Sequence, residues 1–267
     1  ARENDFNTTE SVISIRGWHL PSNDNIITKK GRTKEREATN ASNKYPYVLV
    51  MDRGGRSLFA SISSERFAGF EVDFVSKLFR SAVEAVMSLH SSGICHGDIK
   101  PRNFLRTEIS SVIQLCDLDV ALPIGENRPP EVFKISTAYA SPELMASSFF
   151  GKKLNASVAM DVWSLGVCLF ELCAGRQLFV QDLSDDNLTR QSERNRLLMW
   201  VGISDAELGE VFKGVKEESF CHKIEAAKDL IRRLLVGNPF ERLNMKQIKE
   251  HPFISGEKIT QTTTPRY

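Results

Sequence analysis

Apolar residues recur at steps of three and four from Val72 through Val75, Leu78, Phe79, Ala82, Val86 and Leu89. This spacing predicts an amphipathic helix of about five turns, ended by Gly93. Residues 156–173 are apolar almost all round, which predicts a helix buried on most sides and stopped at Gly175. A third helical pattern, Ala226, Ala227, Leu230, Ile231, Leu234 and Leu235, stops at Gly237. Met245, Ile248 and Lys249 begin a last short helix before Pro252. Nearer the N-terminus the runs 11–15 and 47–51 are rich in β-branched or aromatic residues and predict strands, as does 112–116. Residues 21–44, 124–134 and 182–196 are polar and charged and predict exposed connections. The Thr-rich tail, 255–267, is expected to be disordered. A few early strands followed mostly by helix imply an α+β fold with segregated helices.

Composition narrows the classes. The chain of 267 residues is 41% hydrophobic and 26% charged, ordinary for a globular protein that buries a sizeable core. Lys and Arg number 35 against 34 Asp and Glu, so no global field draws the chain to nucleic acid or anionic lipid. The most apolar stretch, 158–174, is interrupted by Asp161, Ser164 and Glu171 and makes a poor membrane span. Five scattered cysteines without metal-ligand spacing point to free thiols in a reducing compartment, hence an intracellular (cytoplasmic or nuclear) protein.

Candidate chemistry concentrates in His96-Gly97-Asp98-Ile99-Lys100-Pro101-Arg102-Asn103, with Asp117 following a short strand. Phosphoryl transfer needs this inventory. One carboxylate orients the attacking hydroxyl, a cation stabilises the moving phosphoryl group, and hard oxygen donors hold Mg²⁺ against nucleotide phosphates. Asp98 suits the first role, Lys100 the second, and Asn103 with Asp117 the third. Each residue alone would pass for an ordinary loop polar group; the joint spacing is what carries the reading.

These residues resemble the eukaryotic protein kinases of the Ser/Thr type. The run 96–103 matches their catalytic loop, His-Arg-Asp-x-Lys-x-x-Asn, except that Gly97 replaces the Arg. Asp117-Leu118-Asp119 stands at the metal-binding Asp-Phe-Gly, and Ala140-Ser141-Pro142-Glu143 resembles the Ala-Pro-Glu that closes the activation segment. Asp161-Val162-Trp163-Ser164-Leu165-Gly166, Pro239-Phe240-Glu241-Arg242 and His251-Pro252-Phe253 match the later landmarks in order. The resemblance implies a kinase-like fold with a mainly helical C-lobe (54–254) and a remnant of the β-rich N-lobe (1–53, with a polar insert at 21–44). It implies ATP and Mg²⁺ as cofactors and a protein bearing Ser or Thr as substrate. By matched position, Met51 is the gatekeeper, Asp52 and Gly54 offer backbone groups to adenine, and Leu105 packs beneath it. Glu143 and Arg242 form an ion pair, Ser136 touches the catalytic Asp and Lys, and Asp161 braces the loop backbone. Leu118 keeps an apolar plug in place of Phe.

The departures carry expectations too. No Gly-x-Gly-x-x-Gly precedes the hinge and no Val-Ala-x-Lys occurs. The chain therefore reads as the C-terminal part of a longer kinase, the alternative being a pseudokinase scaffold that binds partners through its helical lobe. A small-molecule kinase is disfavoured by residues 139–143 and by the long 117–143 segment. Without the loop Arg, an activation-segment phosphate has less to grip, so activity should depend less on phosphorylation there. Cys95 and Cys116 read as buried thiols, Cys116 within reach of an electrophile in the nucleotide pocket. His96 reads as structural, and Trp163 with Phe170 as core.

Overall fold

The structure is a computed structural model that describes residues 15–19, 25–28, 34–35, 48–51, 53–107, 112–128 and 135–256. The expected strand at 11–15 falls outside these residues except for Ile15, which opens β1 (Ile15–His19). β2 (Asn25–Thr28), β3 (Lys34–Glu35) and β4 (Val48–Met51) complete an antiparallel sheet in the order β3-β2-β1-β4. The region 21–44 is therefore not wholly a loop. Ile26, Ile27 and Thr28 are β-branched, and the ladder to β1, with Gly17 opposite Thr28 and Trp18 opposite Ile27, supplies hydrogen bonds that a polar flank conceals.

β5 (Arg56–Ser57) leads into α1 (Leu58–Ser64), N-capped by the Ser57 side chain, which accepts from the Ala60 N–H. The predicted amphipathic helix is α2 (Val72–Ser91), and Gly93 just beyond it takes φ of +76°. β6 (Ile94–Cys95), β7 (Phe104–Arg106), β8 (Ile113–Leu115) and β9 (Leu122–Pro123) follow. Together β5, β7 and β8 form one small sheet, β6 and β9 another. β10 (Asn127–Arg128) lies within the expected 124–134 loop, whose residues 129–134 lie outside the described ones.

α3 (Pro142–Phe150) and β11 (Leu154–Asn155), which pairs with β10, precede α4 (Val158–Ala174). α4 is the buried helix the sequence predicts. Met160 through Cys173 are all buried, Trp163 and Phe170 fully, and Gly175 closes it with a left-handed φ of +66°. Fully burying each such large side chain contributes roughly 1.5–3 kcal/mol.

The expected exposed connection at 182–196 is instead structured. β12 (Gln181–Asp182) and β13 (Asn187–Leu188) form a hairpin, and α5 (Gln191–Leu198) follows. Two-residue strands show no periodicity in sequence, which is why composition misreads them. α6 (Asp205–Gly209), a 3₁₀ turn (Glu218–Phe220), α7 (Cys221–Leu234), α8 (Met245–Glu250) and α9 (Pro252–Ser255) complete the elements among the described residues. α9 takes Ser255, the first residue of the expected tail; 257–267 lie outside the described residues.

α2, α4 and α7 share one core. Gly166 on α4 permits the approach of α7, because a Cβ there would stand 2.8 Å from Leu234 Cβ and from Leu235 Cδ2. Among the described residues no helix is long and apolar enough to cross a membrane.

Candidate active site

Residues 96–103 run between β6 and β7, and one carboxylate sets their path. Asp161, in the first turn of α4 and fully buried, accepts the His96 N–H on Oδ2 and the Gly97 N–H on Oδ1, both at 2.8 Å. The His90 Nε2 at the end of α2 lies 2.8 Å from the same carboxylate. Burial alone would raise the Asp161 pKa. The His90 hydrogen bond, the electrostatic influence of the His90 and His96 rings and the Gly97 N–H outweigh it and hold the carboxyl below its ordinary value.

His96 is fully buried. Its Nδ1 accepts the Asp98 N–H at 3.2 Å, so its Nε2 carries the hydrogen facing the Cys116 carbonyl at 3.0 Å. Both ring nitrogens are used within the fold, which fits the structural reading. Gly97 adopts φ of +77°, a conformation most L residues avoid.

The expected residues converge as follows. Lys100 Nζ stands 2.9 Å from Asp98 Oδ2 and donates to Ser136 Oγ at 2.7 Å. Asn103 Nδ2 donates to the Asp98 carbonyl at 2.9 Å and approaches Asp98 Oδ2 at 3.4 Å. Asp98, Lys100, Asp117, Asp119 and Ser136 line one cleft of ≈ 430 Å³. Asp117 is exposed there and takes a left-handed φ of +66°. Leu105 is half-buried on β7, where it pairs with Ser57 of β5. Gly54, also half-buried, lies two residues before β5. The next residue, Gly55, must be glycine, since a Cβ would meet the Arg106 carbonyl oxygen at 1.8 Å. Met51 ends β4, and nothing is described of its side chain; Asp52 lies outside the described residues.

Some expectations need correcting. Leu118 is no buried plug but 40% exposed. Its neighbours Asp117 and Asp119 are also exposed, so the segment after β8 runs along the surface of the cleft. Cys95 is buried as expected, but Cys116 only partly so. Burial first, and the charge of Asp117 second, push the Cys116 thiol up to about 11, with Lys100 pulling the other way.

Sequence reasoning missed one functional neighbourhood, the β12–β13 hairpin. Asp185 and Asn187 also line the cleft, and Asp186 is buried beside Lys100. The only sequence signal was Asp185-Asp186-Asn187, a turn-forming run inside a polar stretch.

The donor chemistry fits a nucleotide-bound Mg²⁺. Asn103 and Asp117 offer an amide oxygen and a carboxylate, both hard ligands. Among the described residues no cluster of three or more His, Cys, Asp or Glu forms a separate metal site.

A helical base, a loop held by a buried aspartate and a small sheet beside the cleft together make a protein kinase-like fold. The chain belongs to the protein kinase domain family, whose sequence profile matches residues 18–254. It is 28% identical over 242 residues to calcium-dependent protein kinase 19 of Arabidopsis thaliana, covering 88% of this chain and 37% of that protein. It is 32% identical over 205 residues to glycogen synthase kinase 1 of Pyricularia oryzae, covering 72% of this chain and 48% of that one. The chain thus spans less than half the length of these curated relatives. The autoinhibited serine kinase domain of titin superposes with a TM-score of 0.61 at 22% identity, covering 97% of this chain and 67% of that one, and shows the shared fold.

Proposed function

We propose that the protein carrying this chain transfers the γ-phosphoryl group of ATP to Ser or Thr hydroxyls of proteins. The observation that carries this reading is the contact of Lys100 with both Asp98 and Ser136, in a cleft that Asp117 also lines. Asp98 orients the attacking hydroxyl and takes its proton. Lys100 stabilises the charge that develops on the transferring group. Met51, the backbone of Asp52 and Gly54, and Leu105 bind adenine. When bound with the nucleotide, Mg²⁺ would be held by Asn103 and Asp117 and would neutralise phosphate charge. The five cysteines, none of them in a disulfide, support an intracellular location.

The test is phosphate transfer to Ser/Thr peptides by the full-length natural protein and by its Asp98→Asn variant. We expect the substitution to lower turnover by about 10²–10⁴-fold, the usual contribution of a positioned base. Equal transfer by both proteins would overturn the assignment of Asp98. No transfer by either, with partner binding intact, would replace the kinase reading with a scaffold.

A further inference from the structure

The β12–β13 hairpin enters the site from beyond α4. Gln181 pairs with Leu188 and Asp182 with Asn187, and the Asp186 N–H closes the turn on the Asp182 carbonyl at 2.9 Å. Asp186 takes a left-handed φ of +59°, uncommon outside glycine, and is only 2% exposed. A buried carboxylate of this kind needs cations, and it has two. Arg102 Nε stands 3.1 Å away, and Lys100 Nζ lies at ion-pair distance, 3.6 Å.

The hairpin is fastened on several sides. Arg102 also donates to the Leu183 carbonyl and lies 3.8 Å over the Phe59 ring. The Asp186 carbonyl accepts the Ala138 N–H at 3.2 Å. Asn187 Oδ1 accepts from the Thr137 N–H and hydroxyl at 3.3 and 3.1 Å, and the Leu188 N–H donates to Thr137 Oγ1 at 2.7 Å. Gln181 Nε2 reaches the Tyr139 hydroxyl at 3.3 Å. A turn that the chain reaches some eighty residues after Lys100 is thus locked against both sides of the cleft.

We propose that Asp186 is a positioning residue for Lys100. A lysine ammonium is a compact charge on a flexible stem, with no planar geometry of its own. Here Asp98, Ser136 and Asp186 surround it at 2.9, 2.7 and 3.6 Å, so its direction is set by three oxygens rather than two. The third belongs to a buried turn pinned by Arg102 and by the Ala138 N–H. Without it the ammonium keeps its two partners in the cleft but loses the charge that holds it from behind. A misplaced ammonium acts on turnover more than on nucleotide binding.

This inference rests on the phosphoryl-transfer reading, so the experiment separates the two. Wild type, Asp98→Asn and Asp186→Asn of the full-length protein are compared for kcat, for the KM of ATP, and for the rate at which acetyl N-hydroxysuccinimide ester acylates Lys100, followed by peptide mass spectrometry. Lys100 is 14% exposed in its side chain, so acylation starts slow. For Asp186→Asn we expect kcat to fall about 10–100-fold, the KM of ATP to change less than about 3-fold, and Lys100 acylation to quicken at least about 3-fold. Unchanged kcat or unchanged acylation overturns the proposal, even if the melting temperature drops. Should Asp186→Asn fail to fold, Asp186→Gly removes the same carboxylate while suiting the left-handed backbone. If wild type transfers no phosphate, the kinase reading fails on its own and the acylation rate alone decides the role of Asp186.

Discussion

Arg242 grips Glu143 with two parallel hydrogen bonds, Nη1 to Oε1 and Nη2 to Oε2, each 2.7 Å long. The Arg side chain is fully buried, and it also donates to the carbonyls of Val236, Ala159 and Gly237. Its guanidinium lies 5.2 Å from the centre of the Trp163 ring, so it joins α3, α4 and the turn after α7. Removing it strands a carboxylate and three carbonyls. Arg242→Ala should therefore lose about 3–5 kcal/mol, a fall in melting temperature on the order of 10 °C. Arg242→Lys should recover less than half, because a point charge cannot reproduce the fork. Thermal unfolding of the three proteins checks this, and equal melting would contradict it.

Glu171 sits deep in α4 with the Tyr139 hydroxyl donating to both of its oxygens, at 3.0 and 3.1 Å. Burial raises its pKa most, the Tyr139 hydrogen bond lowers it, and the Asp186 charge raises it again, leaving it at about 8 against an ordinary 4.5. The folded protein thus holds a proton there that the unfolded chain releases between those two values. Stability from this group is fully present below pH 4.5 and is lost progressively as pH rises to about 8. Wild type should melt several degrees lower at pH 8.5 than at pH 5.5, and Glu171→Gln should remove most of that slope. A slope unchanged in the variant would show that other groups set it.

Cys116 is a poor nucleophile despite its place just before Asp117. With a pKa of about 11, its thiolate fraction at pH 7.5 is on the order of 10⁻³ to 10⁻⁴. Its Sγ also donates to the Asn103 carbonyl at 3.3 Å. Iodoacetamide should label exposed Cys221 well before Cys116, as read by peptide mass spectrometry. Comparable rates would mean that the site opens in solution.

Much of the fold was legible because its helices repeat. α2 and α4 show their burial in their own spacing, and Gly93 and Gly175 mark their ends with left-handed turns. The core of the site was legible for a different reason. Asp98, Lys100 and Asn103 lie within one short run, so a local reading sees them together. Asp186 was invisible, since its importance comes from a turn that meets Lys100 only after α4 has packed. Strands such as β12 and β13 exist through their partners, and two residues carry no period of their own. Leu118 failed as a plug because hydrophobicity says what a residue prefers, not whether the backbone turns it inward.

The brace at Asp161 has a consequence in time. Gly97 and Asp161 are 64 residues apart. A ribosome adding roughly 5–20 residues per second needs roughly 3–13 s to make that stretch. Through that interval the nascent loop has no anchor. A chain stopped short of Asp161 would carry Asp98, Lys100, Asn103 and Asp117 without the site they form, so the site is created by the arrival of a helix rather than by the synthesis of its own residues.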